Sequence, residues 1–281
     1  MLTILEAIKL STEFLQKHNI PEPRINAEYL LADILKCKRL ELYLSYNKPL
    51  NEGEKELYRL YIKKRSNSEP LQYILGYTEF FNLKFQVNEN VLIPRQETEL
   101  LVEEVLKFVK GGEKVLDIGT GSGAIAISLK YSEPLIEVAA TDSSREALKV
   151  AYSNAVNILQ DKKAIKFVHH NILNEDLQIL GKFDFIVSNP PYVTLDQYNS
   201  IQPEVKFEPK YAVTDENDGM TFYNFIIEKS PILLNSNGRL FFEIGEEMHE
   251  KVVEQMKSLF TDISVINDYS NIPRIISGRL K

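Results

Sequence analysis

Two short stretches of this chain carry residue types that could do chemistry together. The first is VLDIGTGSGAIAISL, Val115 to Leu129, in which an apolar run is followed by Gly119, Gly121 and Gly123 and then by helix-forming residues. Glycines let a backbone turn sharply and approach a ligand where a Cβ would intrude, so a strand, a tight turn and a helix are expected in succession. Gly119, Gly121 and Ala124 also match the G-x-G-x-x-[G/A] spacing of dinucleotide sites, and spacing alone leaves both ligand classes open. Asp117, at the strand end, is placed to face an ammonium group, directly or through water, and would oppose a pyrophosphate. Asp142 ends the next apolar run, where a carboxylate can accept both hydroxyls of a ribose; that role is expected with either ligand. An amino-acid-bearing nucleoside fits the set better than a dinucleotide. S-adenosylmethionine has the ammonium, the ribose diol and no phosphate. The competing reading is a glycine turn used only for strand–helix packing.

The second stretch is Asn189-Pro190-Pro191-Tyr192, directly after the apolar run FDFIVS. Two successive prolines cannot continue a central strand, and they stiffen a loop at the carboxyl edge of a sheet, where open α/β folds bind ligands. The chemistry such a loop suits is methyl transfer to a planar, conjugated nitrogen, either a carboxamide or the exocyclic amine of a base. Its lone pair is delocalised, and the nitrogen must pyramidalise while positive charge develops. The Asn189 side-chain oxygen and a proline carbonyl can accept the N–H groups, aim the lone pair and stabilise that charge. Tyr192 can stack on the flat group. Other chemistries lack residues: His169 and His170 are adjacent, His18 and His249 are remote, and Cys37 is the single cysteine, so no metal site is expected. Neither a P-loop lysine motif nor a G-x-S-x-G elbow occurs.

The elements that must position these residues follow from periodicity. Within 281 residues, the first 75 show apolar positions at helical spacing (Leu2, Leu5, Ile8, Leu15, then Tyr29, Leu30, Ile34), punctuated by Pro21 and Pro23. Asn51 followed by Glu54 predicts a capping box opening a helix through Lys64. Four or five short helices are expected. Alternation from Phe80 to Val87 predicts a strand, half of a hairpin within a 76–90 linker. ETELLVEEVLKFVKGG then predicts a helix with Thr98 as N-cap and Gly111 as its stop. Beyond Glu113, apolar runs alternate with helical patterns, which implies βαβ units and a mostly parallel, Rossmann-like sheet.

Composition narrows the class. The net charge of -7 disfavours a protein that binds by neutralising phosphate. Residues 1–75 hold 12 Lys+Arg against 10 Asp+Glu, and the remainder 21 against 30, so the parts carry +2 and -9. No run approaches a membrane span, the N-terminal pattern is an amphipathic helix without a signal-peptide frame, and a lone cysteine suits a reducing compartment. A cytoplasmic monomer is expected.

The chain also resembles a known family, the peptide-chain-release-factor glutamine N5-methyltransferases. The resemblance rests on EPLQYILGYTEFFNLKF (Glu69 to Phe85), VLIPRQETELLVE (Val91 to Glu103), the glycine loop, NPPY, and FEPKYAV with a following Asp218-Gly219. NPPY is shared with methyltransferases of nucleic-acid bases and of a ribosomal-protein glutamine, which are the alternative substrates; the IPRQETE segment looks like the release-factor branch. The resemblance implies a seven-stranded sheet with a reversed last strand in a methyltransferase domain, 91–281, behind a helical substrate-recognition domain, 1–75. It implies class I release factors as partner, with methylation of the GGQ-loop glutamine and S-adenosylhomocysteine as the second product. Neither metal, nucleic acid nor membrane is required. By position, Gly119, Thr120, Gly121, Ser122, Gly123 and Asp142 bind the cofactor together with Asp117 and Asn189, and Asn189, Pro190, Pro191 and Tyr192 hold the glutamine amide. Asn171 and Ile172 fall beside the adenine, where the family pattern is often an acid followed by an aromatic or large apolar residue. The Pro94–Glu99 segment either walls the glutamine pocket or only enters a helix.

Overall fold

A computed structural model describes residues 2–281. The chain forms two compact units, one of Met1–Tyr77 with Gln202–Phe207 and one of Thr78–Ile201 with Glu208–Lys281.

The first unit is helical: α1 (Ile4–Lys17), α2 (Pro23–Ile34), a 3₁₀ segment (Arg39–Ser45), α3 (Glu52–Ser66) and α4 (Leu71–Leu75). The Asn51–Glu54 capping box forms at the start of α3, with Glu54 N donating to Asn51 Oδ1 at 2.9 Å and Asn51 N to Glu54 Oε2 at 2.8 Å. A second box, Thr3–Glu6, opens α1. The core gathers Ile4, Ile8, Leu15, Leu30, Leu31, Leu42, Tyr58 and Ile62, while Leu5 and Tyr29, expected on the inner face, point outward. Buried Glu28 is satisfied by Arg24, Arg39 and Tyr43. Buried Arg65 bonds to Asn26 at 2.6 Å and pairs with Glu204, which ties the 202–207 segment to this unit.

A hairpin follows, β1 (Tyr77–Phe80) and β2 (Leu83–Gln86), all but its first residue belonging to the second unit. Its turn falls at Phe81–Asn82, both at positive φ, so the alternation expected to be one strand from Phe80 to Val87 is broken near its start. Phe81 continues the apolar rhythm from within the turn, which is why periodicity alone hid the break. Phe80 and Phe85 meet edge to face at 5.9 Å and join the core of this unit. Helix α5 (Glu97–Leu106) follows, with Gln96 at its N-cap; Thr98, expected to cap it, is buried inside the first turn.

The remaining elements are β3 (Lys114–Ile118), α6 (Ala124–Ser132), β4 (Glu137–Asp142), α7 (Arg145–Leu159), β5 (Ile165–His169), β6 (Phe183–Ser188), α8 (Leu195–Ser200), α9 (Lys210–Val213), α10 (Thr221–Leu233), β7 (Leu234–Glu243), α11 (His249–Met256), β8 (Phe260–Asn267) and β9 (Pro273–Leu280). They build one seven-stranded sheet in the order β5-β4-β3-β6-β7-β9-β8. All pairs are parallel except those of β9, which runs antiparallel to both neighbours. The last strand is thus the reversed one, inserted between β7 and β8. Separate apolar clusters cover the sheet's two faces, one under α10 and α11 and the other under α5 and α6. Helix α10 was not legible in the sequence: it carries Pro231 and runs directly into β7, so no turn signal separates helix from strand. No helix among the described residues is long and apolar enough to cross a membrane.

Candidate active site

Strand order reverses between β3 and β6. After β3 the chain crosses to β4 on one side, whereas β6 lies on the other, and the loops leaving β3 and β6 open a crevice at their carboxyl ends. A cavity of about 260 Å³ sits there. Its walls include Gly119 and Gly121 from the loop after β3, Asp142 from the end of β4, Asn171 and Ile172 from the loop after β5, and Asn189 and Pro190 from the loop after β6. Residues of two motifs separated by some seventy positions therefore face one space.

The glycine loop divides by function. A Cβ built on Gly119 or Gly121 would meet nothing within 4 Å and would project into open space. On Gly123 it would stand 2.7 Å from Ile127 Cδ1 and 3.2 Å from Ala151 Cβ, so this glycine serves the approach of α7 to the start of α6. Thr120, Ser122 and Gly123 do not line the cavity. The N–H groups of Gly119 and Thr120 both donate to the Thr141 carbonyl at 2.9 Å, which folds the loop back over β4.

Asp117 lies behind this loop rather than in the cavity wall. Its Oδ2 accepts from the Thr120 hydroxyl at 2.6 Å, while Oδ1, fully buried, has no partner. Burial pushes its carboxyl up to about 7, opposed first by the Thr120 hydroxyl and reinforced by Asp142. A buried carboxylate oxygen without a donor next to an open glycine cradle is the arrangement a cationic ligand would complete. Asp142 bridges the site: Oδ2 accepts from Gly121 N at 2.9 Å and Oδ1 from Ser144 N at 2.8 Å. Each oxygen keeps a lone pair for a hydroxyl, and burial raises this carboxyl too.

On the far side, Asn189 Nδ2 donates to Thr98 Oγ1 at 3.2 Å. Tyr192 is turned away from the cavity, with its hydroxyl 3.4 Å from Oε1 of Glu243, the last residue of β7. Glu243 is buried, which pushes its carboxyl up to about 7, the Thr98 hydroxyl being the first opposing influence. The Tyr192 backbone leaves no room at Gly219, where a Cβ would lie 2.3 Å from the Tyr192 carbonyl oxygen; that glycine's φ of +82° suits only a residue without one. Val193 N bonds to Val213 O at 3.1 Å, and Arg95 meets the buried Glu208 at 2.5 Å. The IPRQETE, FEPKYAV and Asp218-Gly219 segments thus all brace the loop that carries NPPY.

At the third wall, Asn171 Oδ1 accepts from Leu173 N at 3.1 Å and closes its own turn, leaving one lone pair for a ligand. Ile172 belongs to the core. His170, expected near the surface, is buried and lines the cavity, its Nδ1 3.0 Å from Glu175. Sequence reasoning missed Glu243, placed His170 at the surface, and gave Thr98 a capping role while offering its Pro94–Glu99 segment as one wall of the pocket. For Glu243 a signal existed, since an acid closes the apolar run RLFFE just as Asp117 and Asp142 close theirs. Among the described residues, no group of three or more His, Cys, Asp or Glu converges to hold a metal ion.

Comparison with known proteins places these features in context. A family profile described as the PrmC N-terminal domain matches residues 6–76, and one described as the methyltransferase small domain matches residues 95–203. A release factor glutamine methyltransferase of Leptospira interrogans is 41% identical over 255 residues, covering 89% of this chain and 88% of the relative. Another, of Fusobacterium nucleatum, is 36% identical over 280 residues, covering 98% and 78%. Among solved structures, a methyltransferase from Pyrococcus furiosus superposes with a TM-score of 0.52 at 20% identity over 71% of this chain and 89% of that one. The hMettl16 catalytic domain, solved in complex with the MAT2A 3′UTR hairpin 6, superposes with a TM-score of 0.55 at 17% identity over 70% and 76%. At these identities the structural likeness is one of fold.

Proposed function

This chain belongs to the release factor glutamine methyltransferase family, and we propose that it methylates the side-chain amide nitrogen of the GGQ-loop glutamine in class I peptide chain release factors, with S-adenosylmethionine as donor. The observation that carries the reading is the single cavity that Gly119, Gly121 and Asp142 share with Asn189 and Pro190.

S-adenosylmethionine bound there would supply a sulfonium methyl and leave as S-adenosylhomocysteine. The open cradle at Gly119 and Gly121 and the orphaned oxygen of Asp117 suit its ammonium end, and the free lone pairs of Asp142 suit its ribose. Asn171 and Ile172 take the adenine end, while Thr120, Ser122 and Gly123 act through the shape of the loop. Asn189 Oδ1 and the Pro190 carbonyl accept the two N–H groups of the substrate amide, which directs its lone pair away from them and stabilises charge as nitrogen pyramidalises. Pro191 stiffens the loop. Tyr192, held by Glu243 and the bracing segments, shapes the amide pocket from behind. The proton lost from nitrogen becomes acidic only as the methyl arrives and passes to solvent water, so no strong base is needed.

In this reading residues 1–75 receive the release factor, the hairpin region 76–90 links the two parts, and residues 91–281 carry out the transfer. The enzyme works as a cytoplasmic monomer without metal, membrane or nucleic acid. The test is transfer of labelled methyl to purified release factor, beside a control factor whose GGQ glutamine is alanine. Label on the wild-type factor alone is expected. Equal labelling of both, or preferential labelling of naked RNA or DNA, would overturn the assignment.

A further inference from the structure

Tyr192 closes the NPPY loop, and the chain leaving β7 is shaped around it. The Tyr192 hydroxyl donates to Oε1 of Glu243, the last residue of β7, at 3.4 Å. Two residues further on, a Cβ built on Gly245 would stand 2.8 Å from Cδ2 and 3.4 Å from Cε2 of the same ring. Ile244 between them is buried in the core, and its N–H donates to Arg274 O at 2.8 Å, so the pairing with β9 continues past the end of the strand. Alternation along a paired strand turns Glu243 and Gly245 to one side, where they meet the hydroxyl and the edge of one tyrosine.

Two glycines touch Tyr192, for different reasons. Gly219, against its carbonyl oxygen, sits at positive φ, which favours glycine whatever surrounds it. Gly245 is not at positive φ, so nothing in that torsion reserves the position for glycine. What excludes a side chain there is lack of space. The other near atom is Met248 Sδ, 2.9 Å from the built Cβ, and a thioether on three rotatable bonds can yield. The ring has less freedom: its hydroxyl is held by Glu243, its carbonyl is pressed against Gly219, and two prolines precede it. We propose that Gly245 is a positioning residue: with Glu243 it forms a seat for Tyr192, and the room it leaves sets where the NPPY loop holds the substrate amide. The inference rests on the role given to Tyr192 above.

A methyl group at position 245 would force the ring back by about 0.6 Å before it reached ordinary contact at 3.4 Å. Asn189 and Tyr192 are the two ends of one four-residue loop stiffened by proline, so the displacement is passed to the amide acceptors. Misplacement of reacting groups by about 1 Å costs on the order of 10² in rate.

Four variants of the full chain test this, with release factor as substrate: Gly245→Ala, Tyr192→Ala, the two combined, and Gly245→Ala with Met248→Ala. Gly245→Ala should lower kcat about 10- to 100-fold, while cofactor affinity, read by calorimetry, stays within about threefold of wild type. Tyr192→Ala should be impaired to a similar degree; because it removes the ring edge, adding Gly245→Ala to it should cost less than about threefold more. A glycine that served the fold rather than the tyrosine would lose as much in either background. The inference is overturned if Gly245→Ala retains kcat within about twofold of wild type, or if its loss is undiminished beside Tyr192→Ala. Recovery of activity on adding Met248→Ala overturns it as well, since the space would then belong to the thioether. Should thermal melting show that Gly245→Ala does not fold, its combination with Tyr192→Ala decides: folding regained supports the seat, and folding still lost overturns it. If wild type leaves release factor unlabelled, the fault lies with the proposed function. If Tyr192→Ala is fully active, the role of Tyr192 fails and the seat with it; if Tyr192→Ala is impaired while Gly245→Ala is not, only the positioning inference fails.

Discussion

Binding of S-adenosylmethionine should release a proton, and Asp117 should be its source. Burial holds the Asp117 carboxyl at about 7, with one oxygen engaged by Thr120 and the other without a donor. A ligand ammonium brought to the neighbouring glycine loop favours the ionised form and pulls that value down. If the carboxyl is fully ionised in the complex, the protons released equal the fraction protonated beforehand: about 0.9 at pH 6 and about 0.5 at pH 7. Affinity should weaken about tenfold between pH 7 and pH 5.7 or so, because each unit below the free carboxyl's value approaches a factor of ten. Above roughly pH 7.7 the ligand's own α-amino group starts to lose its proton, so affinity should pass through a maximum. Isothermal titration in two buffers of different ionisation enthalpy at pH 6 reads the proton count directly. The Asp117→Asn variant, which keeps a partner for Thr120, should release almost none. A wild-type release below about 0.2 proton at pH 6, or an undiminished release from Asp117→Asn, would refute the reasoning and shift attention to Asp142.

Three further outcomes are expected. Asn189→Ala should lower kcat by about 10²–10³ in the methyl-transfer assay while cofactor affinity, read by calorimetry, changes far less, since it removes an acceptor needed as charge develops. Gly123→Ala should cost about 1–3 kcal/mol in urea unfolding, because its Cβ would crowd Ile127 and Ala151; Gly121→Ala, whose Cβ enters open space, should instead weaken cofactor binding most. Asp117 and Glu243 should also make stability depend on pH. Both stay protonated in the folded chain up to about 7, whereas they ionise near 4 when unfolded, so their contribution is whole below 4 and is lost as pH rises through about 7. The urea midpoint should therefore be lower at pH 8 than at pH 5, and Asp117→Asn should narrow the gap.

What could be read from the sequence was local. Three glycines after an apolar run specify a turn, two prolines stop a strand, and Asn51 with Glu54 opens a helix, because each effect acts between residues within a turn or two of one another. Acids closing apolar runs mark the carboxyl ends of strands, so Asp117 and Asp142 could be placed at the sheet edge without coordinates. Even the failures of this reading were local in cause. Phe81 kept the alternation going through a turn, Thr98 had the chemistry of a cap without standing at the cap position, and Pro231 hid α10.

Only the tertiary structure decided which of these residues act on one another. Packing of α7 against α6 assigns Gly123 to the scaffold and leaves Gly119 and Gly121 open to the cavity, although all three share one motif. The inserted, antiparallel β9 flanks β7, at whose end Glu243 is buried beside Tyr192. The first turn of α5 delivers Thr98 to Asn189 across 91 positions of chain. No periodicity records such a pairing, because it depends on how the sheet is ordered and on what remains once water has been excluded. The turn, the loop and the acids at the strand ends follow from short stretches of chain; burial and strand order determined which of these residues line one cavity.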